Sequence, residues 1–438
     1  MEKMLNASKL RDDSKLGARL SEEAIENHIR YTQEYLTLLA TNVQQIHAEE
    51  ALNAISALIS FKDYFLAEEE WNKLVIQLLQ IVREGMYHAS FHQFAIFSGI
   101  SHVAYIARCL AQRVSGLEHF VHSIDQILVE NISQFLKTMP TDDIDTLGTY
   151  EVIRGMSGPL RYLLDFSDEL TNTIKKELIS ALIRRSKPKL IAGHKIIGWH
   201  YYPSKAESAF MVEKAPNGVI NYGLSHGMAG PLVVLSLAYK DGIRVDGLEE
   251  AIDGILSEYL KGVYYIKDIA YWPNRIKLEQ YIGQESIERE ARQMSWCYGS
   301  VGILRSLYLA GVYTARAEIK KFAYEHLVRI ASMKIDDYML ELPIVCHGFA
   351  GTAAIFDLMY RDTKEEVFLS RAIEMIEMYS KISIKQHLEM GEFLAQLRHL
   401  PSRAFLHDYL EGYSGILQTT QSIINRVPNG NEKRLLIL

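Results

Sequence analysis

Hydrophobic residues recur at helical spacing along most of this chain. In "AEIKKFAYEHLVRIASM", residues 317–333, the apolar residues Phe322, Leu327 and Ile330 share one face, which is the pattern of an amphipathic helix with one buried side. Other stretches, such as "PLVVLSLAY" at residues 231–239, are apolar all round, which is typical of a helix buried on most sides. The alternation of the two types predicts outer helices that pack on inner ones.

A short glycine motif, here called the box, precedes each strongly apolar stretch and occurs six times. Five boxes read G-x-[ASV]-G, and the first is degenerate because His102 replaces its second glycine. The first glycines of the boxes are Gly99, Gly155, Gly227, Gly299, Gly348 and Gly412. Such internal repeats indicate an array of similar units, and six helix pairs can close on themselves and bury both edges of the array. The sequence therefore predicts an all-α fold, an α/α toroid or six-fold helix-pair barrel, with each inner helix beginning just after its box.

Two segments interrupt the helical pattern. Residues 187–222 contain three of the ten prolines and have the composition of short strands and turns. Residues 261–286 form a second interruption. We interpret residues 1–438 as a single toroid domain and residues 187–222 as a small strand-containing insertion on its rim.

Charge and hydropathy exclude several classes of function. The 438 residues have a formal net charge of −7 and show no concentrated basic stripe, so a nucleic-acid partner is not indicated. The N-terminus is polar, unlike a secretory signal, and no run approaches the roughly 18 apolar residues that cross a bilayer. We expect a cytoplasmic protein and leave open that partners hold it peripherally at the membrane.

The three cysteines are an odd number, which argues against a disulfide framework. Cys109 lies in an apolar helical pattern. Cys297 in "SWCYGSVGI" and Cys346 in "PIVCHGFAGT" each stand just before a box, and His347 follows the second. A closed ring of repeats would bring these equivalent turns together into a Cys2His set. Such a set suits Zn²⁺, and three protein ligands leave a fourth position open, as in catalytic zinc sites.

Charge counting indicates the chemistry that such a zinc ion would support. Zn²⁺ with two thiolates and a neutral imidazole has no net charge, so a water bound there is only moderately acidified. An incoming thiol, in contrast, would be deprotonated. A free cysteine, with a pKa of about 8.5, is mostly protonated at neutral pH. The predicted site is therefore suited to alkylating a thiol.

The order of the boxes resembles that of a known family. The matching elements are "GLSHGMAG" at 223–230, "WCYG" at 296–299 and "CHGFAG" at 346–351, supported by "YEVIRGMSG" at 150–158 and "LEGYSG" at 410–415. At these residues the chain resembles the lanthionine synthetase C-like family, the lantibiotic cyclases of the nisin and subtilin type. Single boxes are unspecific, whereas the ordered set is highly specific.

This resemblance implies an α/α toroid in which Cys297, Cys346 and His347 bind zinc. The family's substrate is a precursor peptide whose serines and threonines have been dehydrated to dehydroalanine and dehydrobutyrine. A peptide cysteine adds to the alkene in an intramolecular Michael addition, which gives lanthionine or methyllanthionine. The resemblance also implies a dehydratase and an ABC exporter as partners in a membrane-associated complex, and a role of the strand-containing insertion in peptide binding.

Four further residues are carried over as candidate catalytic residues. His226 matches the family's active-site histidine and is a candidate general acid or base. Tyr298 is a candidate donor to the enolate or a residue that orients a ligand. Glu151 stands where the family commonly has aspartate, and a carboxylate there can orient His226 or share in proton transfer. Related cyclases carry an arginine at the position of Gln293, and Arg292, one place earlier, is the candidate substitute.

Three other interpretations fit parts of the sequence. A non-catalytic LanC-like protein would bind zinc and glutathione on the same scaffold. "GLSHG" also matches the G-x-S-x-G nucleophile elbow of α/β-hydrolases, with Ser225 as nucleophile. A toroid glycoside hydrolase would need two opposed carboxylates, for which Glu151 and Glu411 are available. The last two interpretations leave both box cysteines unexplained.

Overall fold

The computed structural model describes residues 19–88, 94–139, 149–204, 209–287, 293–398 and 404–438. Helices, named α1 to α19 in chain order, account for most of these residues. They are Glu22–Asn42, Ala48–Phe65, Glu68–Tyr87, Ile100–Ala111, Glu118–Thr138, Ser157–Leu163, Glu169–Ser186, Ala209–Lys214, Ala229–Lys240, Leu248–Gly262, Leu278–Tyr281, Ser300–Tyr313, Ala317–Ala331, Phe349–Thr363, Glu366–Tyr379, Ile384–Arg398, Ala404–His407, Tyr413–Asn425 and Asn431–Arg434. Within the described ranges, none of these helices combines the length and the apolar character needed to span a membrane.

Every box lies at the start of a helix, as the sequence predicts. Helices α4, α6, α9, α12, α14 and α18 all begin within two residues of the first glycine of their box. In the five boxes that have a second glycine, that glycine falls in the first helical turn. At Gly302 a Cβ atom would overlap the carbonyl oxygen of Trp296, so this glycine lets the helix begin tight against the turn that precedes it.

The inner and outer helices differ in burial as their patterns predict. In α12, which follows a box, the residues from Ser300 to Gly311 are all buried. In the next helix, α13, the buried residues are Ala323, His326, Leu327, Ile330 and Ala331. One face of α13 is therefore buried, whereas α12 is enclosed on all sides along most of its length.

The chain forms two compact units. The first comprises Met1–Phe91, Ile106–Val121 and Leu340–Glu432, and the second comprises His92–Tyr105, His122–Met339 and Lys433–Leu438. In the second unit α6, α9 and α12 pack in succession, and each contacts the helix that follows it in sequence. In the first unit α14, α18 and α2 pack in the same way, and α14 and α2 contact the next helices, α15 and α3.

Short strands occupy the two interruptions of the helical pattern. Named β1 to β6, they are Lys189–Ile191, His194–Ile196, Val219–Asn221, Tyr264–Ile266, Ile269–Tyr271 and Arg275–Lys277. β1 pairs with β2 and β4 with β5, whereas β3 pairs with β6 and so joins the two interruptions. The expected strand character is confirmed. The single domain over residues 1–438 and the limits 187–222 of the insertion stay predictions.

The sheets also decide against the nucleophile-elbow interpretation of Ser225. That motif needs a parallel sheet around the serine, and all three sheets in the described part of the chain are antiparallel pairs of strands. The Ser225 interpretation is therefore wrong, because the strand that precedes "GLSHG" has no parallel neighbour there.

Candidate metal centre

The first candidate ligand lies in a tight turn that runs from Met294 to Gly299. These two residues form an antiparallel bridge, and the Ser295 amide donates to the Tyr298 carbonyl at 3.3 Å. Gly299 has φ of 112°, and a Cβ atom there would overlap the carbonyl oxygen of Gln293. Only glycine suits both conditions. The glycine therefore fixes the path of the residues before it, including Cys297.

Trp296 anchors the same turn. Its side chain is fully buried, and its indole Nε1 donates to the Leu435 carbonyl at 2.8 Å. The Phe97 ring meets the indole edge-on, with 6.5 Å between ring centroids. A buried indole N–H needs such a partner. The residue next to Cys297 is therefore held by both packing and a hydrogen bond.

Backbone hydrogen bonds join neighbouring boxes. The Val152 amide donates to the Ser225 carbonyl at 3.0 Å, and the Leu224 amide donates to the Cys297 carbonyl at 2.9 Å. These bonds link the second box to the third and the third to the fourth. The turns of the second, third and fourth boxes therefore meet directly, as neighbouring units of a repeat array would.

The structure brings the three predicted metal ligands together. One ligand atom each from Cys297, Cys346 and His347 lies within 4.8 Å of the other two. Cys297 is buried, the other two are half-buried, and neither cysteine forms a disulfide with another described residue. In a tetrahedral site with Zn–S bonds of about 2.3 Å the sulfurs stand about 3.8 Å apart. Two sulfurs and one imidazole nitrogen within 4.8 Å of one another fit Zn²⁺, and the three residues form a possible metal-binding group.

His226 and Glu151 form a directed pair. Nδ1 of His226 lies 2.6 Å from Oε2 of Glu151, whose side chain is 1% exposed, whereas that of His226 is 32% exposed. An ionised carboxylate only accepts hydrogen bonds, so Nδ1 donates. In the neutral imidazole Nε2 then carries the lone pair. The pair thus presents a basic nitrogen on a half-buried ring.

The Glu151 carboxylate also binds the backbone of its own turn. Oε2 accepts from the Ile153 amide at 3.1 Å, and Oε1 accepts from the amides of Arg154 and of Gly155, the latter at 2.8 Å. Together with His226, four N–H groups therefore point at this buried carboxylate. A buried carboxylate needs such partners, and together they hold the Glu151 side chain in one orientation.

Tyr298 lies beside the histidine, with 6.4 Å between the two ring centroids. Its hydroxyl oxygen accepts from Asn221 Nδ2 at 2.9 Å and from Arg275 Nη2 at 2.8 Å. Burial raises the pKa of Tyr298 above its ordinary value, and the positive charge of Arg275 opposes that rise. The tyrosine is therefore part of a polar cluster rather than of an apolar core.

One candidate residue has no described position, and two residues of the site were not candidates. Arg292 lies outside the described residues. Asn221 and Arg275 were not singled out from the sequence, because "GVINY" and "YWPNRIKLEQ" match no motif and show no period. The feature that reveals them is the pairing of the two interruptions in the structure, which places Asn221 opposite Arg275.

Comparisons with known proteins bear on the family and the fold of this chain. A profile of the family described as "Lanthionine synthetase C-like protein" matches residues 54–432. "Nisin biosynthesis protein NisC" of Lactococcus lactis subsp. lactis is 26% identical over 310 residues, which are 67% of this chain and 71% of that protein. The solved structure of "Nisin cyclase" has a TM-score of 0.75 and 20% identity, and the match covers 93% of this chain and 97% of that one.

The structural match confirms the α/α toroid that the repeated boxes predict. The sequence match to the family is independent of that fold. It runs from α2, before the first box, to α19, beyond the last. Because the family profile covers most of the chain, this protein belongs to the lanthionine synthetase C-like family.

Proposed function

We propose that this protein is a zinc-dependent peptide cyclase that forms lanthionine and methyllanthionine rings in a dehydrated lantibiotic precursor. The observation that carries the proposal is the group of two thiols and one imidazole whose ligand atoms lie within 4.8 Å of one another. The nearby pair of His226 and Glu151 supports it, because Michael addition of a thiol requires both a nucleophile and a path for protons.

Cys297, Cys346 and His347 would hold the zinc ion. Zinc, when bound there, supplies one kind of chemistry, namely the stabilisation of a peptide thiol as a thiolate. The protein's own residues supply the rest. The turn from Met294 to Gly299 fixes one ligand, and the bond from the Cys346 amide to the Leu410 carbonyl at 2.8 Å fixes the backbone of another.

The reaction needs no external oxidant or reductant. The sulfur forms a bond to the β-carbon, the π electron pair moves to the carbonyl oxygen, and the α-carbon of the enolate then takes up a proton. The thiol loses one proton and the α-carbon gains one, so the peptide keeps its mass. His226 is suited to carry that proton, because Nδ1 donates to Glu151 and Nε2 has the lone pair. We assign Tyr298 as hydrogen-bond donor to the enolate oxygen.

The remaining parts of the proposal concern the surroundings of the enzyme. We propose the dehydrated precursor peptide as substrate, and a dehydratase and an ABC exporter as partners. We place the protein in the cytoplasm and expect those partners to bring it to the membrane. The family to which the chain belongs supports these assignments.

The first prediction concerns metal content and ring closure. We expect about one zinc per purified chain, and loss of both the metal and activity in Cys297→Ala and Cys346→Ala. Cys109→Ala is the matched control, since Cys109 also lies outside any disulfide among the described residues but is not part of the metal-binding group. Elemental analysis measures zinc. Incubation with dehydrated nisin precursor, followed by thiol labelling and mass spectrometry, measures ring closure.

The outcomes separate the cyclase from its alternatives. A cyclase removes free thiols from the peptide without changing its mass. A metal-free preparation with full activity would contradict the proposal. Zinc binding with every peptide thiol still present would instead favour a non-catalytic protein that binds zinc and glutathione.

A further inference from the structure

The Tyr298 hydroxyl has an unusual set of partners. Both hydrogen bonds that it makes within the described residues come from N–H donors, Asn221 Nδ2 at 2.9 Å and Arg275 Nη2 at 2.8 Å. A guanidinium has no acceptor atom, and the nitrogen of an amide has none either. The phenol proton therefore cannot lie in either of these two hydrogen bonds.

The orientation of the Asn221 amide is fixed by a second contact. Its Oδ1 accepts from the Gly223 amide at 2.9 Å, and a backbone N–H can only donate. The nitrogen must therefore face Tyr298. With both lone pairs of the phenol oxygen occupied by donors, the O–H bond points away from Asn221 and Arg275, and it is free to donate to a third group.

The two donors come from one element. Asn221 ends β3, Arg275 begins β6, and the two residues stand directly opposite each other in the antiparallel register. Directly opposed residues project from the same face of a strand pair. The pair of strands thus presents an amide and a guanidinium side by side, and both reach the same hydroxyl.

The charge of Arg275 is not used for an ion pair. The side chain is half-buried, its Nε has no hydrogen-bond partner, and no carboxylate pairs with it among the residues that the structure describes. A partly desolvated cation without a counter-ion is costly. The hydrogen bond to the Tyr298 oxygen therefore takes the place of an ion pair.

We infer that Asn221 and Arg275 are positioning residues that hold the Tyr298 hydroxyl as a double acceptor and so direct its O–H toward the enolate oxygen of the cyclising peptide. This inference rests on the proposed function. It assigns a task to the strand-containing interruptions, since β3 and β6 each supply one of the two donors. It also gives the site an arginine, Arg275, whose assignment is independent of the candidate Arg292.

The second prediction tests this inference with a double-mutant cycle. We expect Tyr298→Phe to lower kcat about 100-fold, in the range for loss of one oxyanion donor. Arg275→Met should lower kcat about tenfold with little change in KM, because it misdirects the donor without removing a substrate contact. The variant with both changes should be no slower than Tyr298→Phe alone. Arg275→Lys, which keeps the charge and one donor, should recover part of the loss.

A spectroscopic measurement checks the hydrogen bond without relying on activity. In protein labelled with ¹³C at the tyrosine Cζ, the Tyr298 signal is identified by its absence in Tyr298→Phe. We expect this signal to shift in Arg275→Met. The matched control is Arg244→Met, because Arg244 is exposed and, among the described residues, its hydrogen bonds go to the carbonyls of Tyr239 and Ile243.

The results that overturn this inference differ from those that overturn the proposed function. Failure of the wild-type protein to close rings overturns both. If the wild type is active, the inference alone is overturned by an Arg275→Met variant with unchanged kcat, by losses that multiply in the double variant, or by an unshifted Tyr298 signal.

Discussion

The Glu151 side chain shows how one extra methylene is accommodated. The family commonly has aspartate at this position, and the longer glutamate turns back so that its carboxylate accepts three amides of its own turn as well as Nδ1 of His226. A carboxylate at the start of a helix is further favoured by the positive end of the helix dipole, and α6 begins two residues after the last of these amides. The orientation of His226 therefore depends on a residue that is itself rigidly held.

The third prediction concerns this carboxylate. Glu151→Gln keeps the shape but removes the charge, so the imidazolium formed during proton transfer loses its counter-ion. We expect kcat to fall about 10- to 100-fold while zinc content stays at the wild-type level. Glu249→Gln is the control, because it is the same change at an exposed position of α10. Loss of zinc in Glu151→Gln would show that the residue supports the metal group instead.

At the scale of elements, the turn before α12 connects a sequence motif to the position of a ligand. Gly299 combines a positive φ with contact against the Gln293 carbonyl, and Gly302 allows the first turn of α12 to meet Trp296. The two glycines of the box thus act at different points, one in the turn and one in the helix. A side chain at either position would push the Cys297 backbone away from its place.

The fourth prediction separates two effects of a side chain at Gly299, namely backbone strain from the positive φ and steric overlap with the Gln293 carbonyl. Both Gly299 and Gly283 have positive φ, of 112° and 79°, but a Cβ atom at Gly283 would meet no atom within 4 Å. Gly283→Ala should therefore cost only the strain of the backbone, about 1 to 3 kcal/mol. Gly299→Ala should lower the melting temperature further and reduce zinc content, as measured by thermal denaturation and elemental analysis. Equal effects of the two changes would contradict the role given to the Gln293 contact.

The elements differ in how far the sequence could predict them. The starts of α12 and α14 could be predicted, because glycine boxes and the change to continuous apolar residues are visible in short windows. The Cys2His group could be predicted because its members occupy like places in two repeats. The pairing of β3 with β6 could not, since each strand has three residues and such short segments carry no period. The contacts of Asn221 and Arg275 with Tyr298 depend on that pairing and were therefore also missed.

At the scale of the whole molecule, buried histidines link stability to pH. His28 and His407 are 3% and 5% exposed, and burial lowers the pKa of each to about 4. The hydrogen bond of His28 to Gln421, at 2.8 Å, opposes this shift without cancelling it. Both histidines belong to the first compact unit. In the unfolded chain their pKa is about 6.5, so acid favours unfolding.

The fifth prediction gives the sign and the pH range. Between pH 6.5 and pH 4 the unfolded state binds more protons than the folded state, so stability is fully present above pH 6.5 and falls as the pH decreases. Each histidine should cost about 1.4 kcal/mol at pH 5.5 relative to pH 8. Thermal denaturation from pH 8 to pH 5 measures the slope. His28→Phe should reduce the slope, and the same change at the exposed His194 should leave it unaltered.

The antiparallel pairing of β3 with β6 also limits how this part of the molecule can be rebuilt. Because Asn221 and Arg275 stand opposite each other, adding or deleting one residue in either strand would send one of the two side chains to the reverse face. The loops outside the pair are under no such constraint. A chimaera that exchanges segments between members of this family must therefore transplant residues 219–221 and 275–277 as a matched set, even though they are far apart along the chain.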